Sequence, residues 1–125
     1  MARKLNSRDK GKVGERELAG ELSRIFGTSC RRGQQYSGLD GSDVVGLPGI
    51  HIESKRVEKL NIYTAVEQSE RDAKENETPV VFHRRNRKPW LVTFYLEDLP
   101  RLVGVLSEIL CKESKPLTDC EESPS

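Results

Sequence analysis

Apolar side chains recur along the chain with two different spacings, and each spacing predicts a different kind of element. Three segments place apolar residues three or four positions apart, which is typical of amphipathic helices: 11–26, 62–76 and 97–110. Five shorter apolar runs, bounded by glycine, proline or polar residues, are typical of strands: 29–32, 43–46, 50–56, 79–83 and 90–95. The predicted order α-β-β-β-α-β-β-α indicates a single-domain α/β fold, with helices packed against one mixed β-sheet.

The two ends of the chain lack this patterning. Residues 1–10 are polar and basic, which predicts a flexible arm, and residues 112–125 have the polar composition of a disordered tail. Residues 11–111 remain as one domain, because 125 residues are enough for a single core. No apolar run approaches the ~20 residues of a membrane span, and the N-terminus has no apolar signal-peptide core. We therefore expect a cytoplasmic protein with no membrane partner.

Candidate chemistry lies on two predicted strands joined by a proline-glycine turn. Asp43 begins the first strand, and Glu53 and Lys55 lie on the second. Because side chains alternate between the faces of a strand, Ile50 and Ile52 can pack on a core while Glu53 and Lys55 point together into a cleft. Carboxylates converging from adjacent strands can bind a hard cation such as Mg²⁺ through oxygen. The alternative is a solvated strand face, where Glu-x-Lys is common.

A third carboxylate, Glu15, lies on the apolar side of the first predicted helix. At about 100° per residue, Leu18, Leu22 and Phe26 fall within about 60° of Glu15. An unpaired carboxylate on a buried stripe is costly, so Glu15 needs a partner there. A site carboxylate is the favoured interpretation. The alternative is a first-turn glutamate that interacts with the helix dipole and reaches solvent.

Together these residues resemble the PD-(D/E)xK nuclease superfamily. Glu15 lies on a first helix, Asp43 on a strand, and the Glu53-Ser54-Lys55 motif on the next strand. The segments 10–18 and 31–38 more closely resemble the first helix and the basic serine loop of archaeal-type Holliday junction resolvases, including phage-encoded relatives. The chain departs from that pattern at two positions. Ser42 rather than proline precedes Asp43, and Asp40 adds an acid that could compete for the metal role.

The resemblance implies a restriction-endonuclease-like fold and a Mg²⁺-dependent DNA endonuclease, with Mn²⁺ as a substitute. It implies that Asp43 and Glu53 hold the metal, that Glu15 completes or orients its ligands, and that Lys55 helps to activate water. It assigns Ser37 to the loop that positions the scissile strand. It also implies four-way junction DNA as substrate, a homodimer, and the host cytoplasm if the protein is phage-encoded.

The distribution of charge supports a nucleic-acid surface better than the net charge of +1 does. Residues 1–35 hold nine basic and four acidic residues, so a basic rim can bind phosphates beside an acidic pocket. The candidate DNA-binding residues are Lys10, Lys12, Arg31, Arg32, Ser37 and Gln68. Gln68 lies on the second predicted helix, where many nucleases of this superfamily place a glutamine near the cleft. An exposed helix residue is the slightly favoured alternative for Gln68.

Two further features leave their roles open. His51 shares a face with Glu53 and Lys55, so it could contact the cleft rim or a phosphate, but a solvated surface histidine is the favoured interpretation. The last helix is unusually apolar for a terminal element. Core packing explains part of this apolar character, and a homodimer interface explains the excess. The candidate interface residues are Leu102, Val105, Leu106 and Ile109.

Two functions other than junction resolution remain open from the sequence. The first is a nuclease of the same fold that acts on nicks, flaps or duplexes. The second is a noncatalytic DNA-binding module, against which the presence of all four candidate site residues argues.

Overall fold

The computed structural model describes the backbone of residues 7–33 and 43–114, with side chains over 11–33 and 43–111. Ser37, Asp40 and the side chain of Lys10 lie outside the described residues, as do most of the predicted arm and tail. The helices are α1 (Ser7–Phe26), α2 (Ile62–Asp72) and α3 (Leu99–Ser114). The strands are β1 (Arg31–Arg32), β2 (Val44–Val45), β3 (Ile50–Arg56), β4 (Thr78–Arg84) and β5 (Leu91–Thr93). The predicted order and the α/β fold with a mixed sheet are confirmed.

The five strands form one sheet in the order β1-β2-β3-β4-β5. The β3–β4 pair is parallel and the other three pairs are antiparallel. Because β3 and β4 run in the same direction, their connection must cross over the sheet, and α2 makes this crossover. The result is a small mixed sheet consistent with the restriction-endonuclease-like architecture that the resemblance implies.

The core lies mainly on one face of the sheet. Leu18 and Leu22 of α1 and Leu102 of α3 pack there against Ile52 and Val80. The opposite face carries α2, in a smaller cluster of Ala65, Val66 and Val81. The polar side chains of β3 lie on this second face, because Glu53 is directly paired with Val81 in the register of β3 and β4. A crossover helix therefore covers the strand that carries the candidate acids.

Several helix ends differ from the prediction. The first helix begins at Ser7, four residues earlier than predicted, and α3 continues to Ser114. The second helix ends at Asp72 rather than 76, because Ala73 adopts an extended conformation and its N–H caps the helix by bonding to the Ser69 carbonyl. Among the described residues, no helix has the length and apolar character needed to cross a membrane.

Candidate active site

Asp43 is fixed by its backbone at the start of β2. Its N–H donates to the Ile52 carbonyl at 2.9 Å, and its carbonyl accepts from the Gly33 N–H at 2.8 Å. The side chain then reaches β3, where Oδ2 accepts from the backbone N–H of Ser54 at 2.9 Å. Since Ser54 lies between Glu53 and Lys55, this bond places the Asp43 carboxylate beside the Glu-x-Lys motif.

The turn that permits this approach depends on glycine. Gly46 has φ of 133° and Gly49 has φ of 86°, conformations that favour glycine. A Cβ at Gly46 would lie 2.6 Å from the Ser29 carbonyl oxygen, because the chain after α1 passes directly behind it. The turn predicted from proline and glycine is therefore present, and it also packs tightly against the segment that leads into β1.

Glu53 and Lys55 point to the same side of β3, as their spacing predicts. Glu53 is only 4 % exposed, which is unusual for a carboxylate. Lys55 Nζ lies 3.8 Å from Glu53 Oε2 and donates to Gln68 Oε1 at 3.1 Å. Gln68 is thus not a solvated helix residue; it fixes the position of the lysine ammonium from α2.

Glu15 reaches the same region from α1. Its Oε1 accepts from Arg32 Nε at 2.8 Å, and its side chain is 21 % exposed. The partner that a carboxylate on the apolar stripe requires is therefore Arg32, on β1. This contact engages one of the two arginines predicted to bind DNA, whereas Arg31 is exposed beside it.

Electrostatics link all four candidate residues around Asp43. The surroundings raise the pKa of Asp43 to about 7, mainly through burial and next through the charge of Glu53. The hydrogen bond from Ser54 opposes this shift, Glu15 adds to it, and Lys55 lowers it. The site therefore concentrates negative charge that one lysine does not balance. Such a set of oxygen donors suits a hard divalent cation.

His51 was predicted to be solvated, and this prediction is wrong. The side chain is completely buried, with Nε2 at 3.0 Å from Glu53 Oε1 and Nδ1 at 3.7 Å from Glu77 Oε1. Burial lowers the pKa of His51, but the hydrogen bond and charge of Glu53 and the charge of Glu77 outweigh burial and raise it. The physical reason for the error is α2, which covers this face of β3.

Asp72, at the end of α2, joins His51 and Glu53 in a compact group. One potential ligand atom from each of the three residues lies within 4.8 Å of the others. The sequence analysis missed Asp72. The available signal was its position one turn after Gln68 and Ser69 on a helix that must lie across the sheet.

A second ionic cluster joins α1 to the last residues of β3 and β4. Glu17 Oε1 lies 3.3 Å from Arg56 Nε and 3.8 Å from a guanidinium nitrogen of Arg84. The Arg84 guanidinium also lies 5.8 Å from the centroid of the Trp90 ring. These contacts hold the end of β4 and the β4–β5 hairpin against α1. The Arg84 guanidinium therefore already has partners within the protein.

Residues 6–115 match the model of a family described as "Phage putative PDDEXK endonuclease". Neither a curated protein nor a solved structure matches the chain significantly.

Proposed function

Because the chain belongs to this family of phage PDDEXK endonucleases, we propose that it is a Mg²⁺-dependent, structure-specific DNA endonuclease that resolves four-way junctions. The observation that carries the proposal is that Asp43, bonded to the Ser54 N–H, lies beside the Glu53–Lys55 pair, with Glu15 near enough for its charge to raise the pKa of Asp43. Three acids and one lysine, supplied by one helix and two strands, form the kind of site that hydrolyses a phosphodiester with a cation's help.

The residues present fit a hard cation. Glu53 is buried and Asp43 is half-buried, and their mutual repulsion contributes to the raised pKa of Asp43. A divalent ion held by these two carboxylates, with Glu15 close by, would remove that repulsion. When bound, such an ion supplies positive charge to the scissile phosphate and lowers the pKa of a bound water. Mn²⁺ prefers similar oxygen donors and should substitute.

We assign Lys55 to act on the phosphate or on the attacking water. An ammonium group has three donors, and Gln68 accepts one of them at 3.1 Å. The remaining donors can bond to a nonbridging phosphate oxygen or to the water that attacks phosphorus in line. Because Gln68 restricts the rotation of the ammonium group, Lys55 requires little rearrangement when substrate binds. Gln68 therefore serves as a positioning residue.

Phosphates of the DNA would be bound outside the acidic pocket. Arg31 is exposed on β1 next to Arg32, and Lys12 is partly exposed on α1 one turn before Glu15. Basic side chains at these places can contact the backbone on either side of the scissile bond without reading sequence. We assign Lys10 and Ser37 to the same surface. Arg32 contributes indirectly, because it orients Glu15.

Resolution of a junction requires two cuts related by two-fold symmetry, and each chain carries one candidate site. A homodimer supplies two identical sites about one axis. The proposed interface is α3, but not through all the residues first considered. Leu102 and Ile109 are buried in the core of the monomer, whereas Leu99 and Val103 are 42 % and 54 % exposed on the outer side. A substitution at Val103 can therefore test the interface without removing a core side chain.

The test is cleavage of labelled four-way junction, fork, flap and duplex DNA in parallel, with Mg²⁺ and with EDTA. We expect junction DNA to be cut in opposing strands, only with the metal, and Glu53→Gln to abolish the cuts while junction binding survives. The matched control is Glu75→Gln, because Glu75 is an exposed acid outside the pocket. Equal cleavage of all substrates would refute junction specificity, and metal-independent cleavage would refute the role of the carboxylates.

A further inference from the structure

Glu53 faces two groups of side chains on opposite sides. Its Oε2 lies 3.8 Å from Lys55 Nζ, whereas its Oε1 lies 3.0 Å from Nε2 of His51. Asp72 approaches the His51 side from the end of α2. We propose that His51, Glu53 and Asp72 form a second cation site, distinct from that of Asp43, which selects a transition metal that binds imidazole.

Two elements bring the three potential metal ligands together: β3 carries two of them and the end of α2 carries the third. His51 and Glu53 are two residues apart on β3, so they are neighbours on one face. Asp72 is the last residue of the crossover helix that lies across this face. The three potential ligand atoms lie within 4.8 Å of one another, close enough for one ion to bind all three after small side-chain adjustments.

Burial distinguishes this group from an ordinary cluster of surface charge. His51 is 0 % exposed and Glu53 is 4 % exposed, so both donors have lost their contact with solvent. Ser69, one turn before Asp72 on α2, is also completely buried, and within the described residues its Oγ has no hydrogen-bond partner. An unsatisfied hydroxyl on the covering helix is costly. A polar ligand bound between α2 and β3 would offer this hydroxyl a partner.

The carboxylate behind the imidazole also suits a metal site. Glu77 Oε1 lies 3.7 Å from His51 Nδ1, on the ring edge opposite Glu53. Histidines that bind metals through one ring nitrogen are commonly oriented by a carboxylate at the other. Glu77 could take that role after a shift of a few tenths of an ångström, which would bring the two atoms within hydrogen-bond distance.

The donor set defines the class of ion. One imidazole and two carboxylates favour Zn²⁺, Co²⁺ or Mn²⁺, because these ions accept nitrogen as well as oxygen ligands. Mg²⁺ prefers an all-oxygen environment and keeps much of its water. Glu53 would belong to both cation sites, because its Oε2 faces Lys55 and its Oε1 faces His51. The competing structural role for the group is a buried ion pair in which protonated His51 bridges Glu53 and Glu77.

The experiment uses Co²⁺ as the probe, added to the full chain in saturating Mg²⁺ and followed by calorimetry and visible absorption. We expect one equivalent of Co²⁺ to bind, with the ligand-field absorption of a site that contains nitrogen. His51→Gln and Asp72→Asn should each weaken Co²⁺ binding at least about tenfold. This is the smallest loss of metal affinity expected even when only a residue that supports a metal ligand is mutated. Circular dichroism checks folding, and Asp72→Asn changes a half-buried side chain that the fold tolerates better than a change at His51.

Two controls separate this site from other sources of binding. His83→Gln removes the chain's other histidine, which bonds to Thr93 at 2.8 Å away from the cluster, and should leave Co²⁺ affinity unchanged. Asp43→Asn should also retain Co²⁺ binding even though it abolishes the proposed cleavage, so the two proposals fail separately. The inference is overturned if wild-type protein binds no Co²⁺ in excess Mg²⁺, or if Asp72→Asn and His51→Gln bind it as tightly as wild type. Either result would leave the buried ion pair as the role of the cluster.

Discussion

Asp43→Asn should stabilise the metal-free protein while it abolishes cleavage. The carboxylate is half-buried beside other acids, and these surroundings raise its pKa from 3.8 to about 7. Above that pH the folded protein must keep an unfavourable negative charge that the unfolded chain holds without penalty. Asparagine removes the charge, and its amide oxygen can still accept the 2.9 Å hydrogen bond from Ser54.

The magnitude follows from the pKa difference. A shift from 3.8 to about 7 corresponds to roughly 4 kcal/mol at 1.36 kcal/mol per pKa unit. This value is an upper limit, because water and side-chain rearrangement reduce the cost of an ionised carboxylate in a cleft, and we expect about 1–3 kcal/mol. For a domain of this size, that gain corresponds to a rise in Tm of roughly 4–12 °C.

The direction in which the stability gain of Asp43→Asn changes with pH follows from proton linkage. Because the pKa of Asp43 is higher in the folded state, folded wild-type protein holds this proton more tightly than the unfolded chain does. The contribution of the proton to the free energy of unfolding is therefore lost as pH rises from about 4 to about 7, and above that pH the contribution of Asp43 no longer changes. The benefit of Asp43→Asn should therefore be complete near pH 8 and smaller near pH 5, where wild type carries less charge at this position. Mg²⁺ should raise the Tm of wild type and leave that of the variant nearly unchanged.

The assay is thermal unfolding in EDTA at both pH values, repeated with Mg²⁺, beside a cleavage assay. The control is Glu75→Gln, which removes the charge of an exposed acid. A variant less stable than wild type at about pH 8 in EDTA would refute the electrostatic argument. A variant that still cuts DNA at the wild-type rate would refute the assignment of Asp43 as a metal ligand.

Three further changes test other parts of the site. Glu15→Gln should slow cleavage at least about a hundredfold, the scale for losing one catalytic charge; a wild-type rate in single-turnover assays would restrict Glu15 to a structural role. Gln68→Ala should lower kcat about tenfold with little effect on Tm, because it removes a single hydrogen bond to Lys55; an unchanged kcat would contradict the positioning role. Gly46→Ala should lower stability by about 2 kcal/mol or more, because its φ is 133° and the new Cβ meets backbone at 2.6 Å. Gly20→Ala is the control and should not destabilise, because among the described residues only the backbone of its own helix lies near the new Cβ. Equal Tm values for the two glycine variants would contradict the steric argument.

The sequence by itself determined the order of the elements and the pairing of Glu53 with Lys55. Both depend on local periodicity: strand alternation fixes which side chains share a face, and helical spacing places Glu15 on the buried stripe of α1. The glycines of the turn before β3 were visible for the same reason, since a tight reversal is encoded by a few adjacent residues. These properties need no knowledge of how the elements pack on one another.

The tertiary structure alone decided which distant residues meet. The β2–β3 register brings Asp43 to Ser54, and the passage of α2 over β3 buries His51 and adds Asp72 to its surroundings. The pairing of Arg32 with Glu15 likewise depends on where β1 lies against α1. Such contacts arise from the packing of whole elements, which follows from the summed burial of many side chains. No local pattern specifies them, and so the acids could be predicted singly while their partners could not.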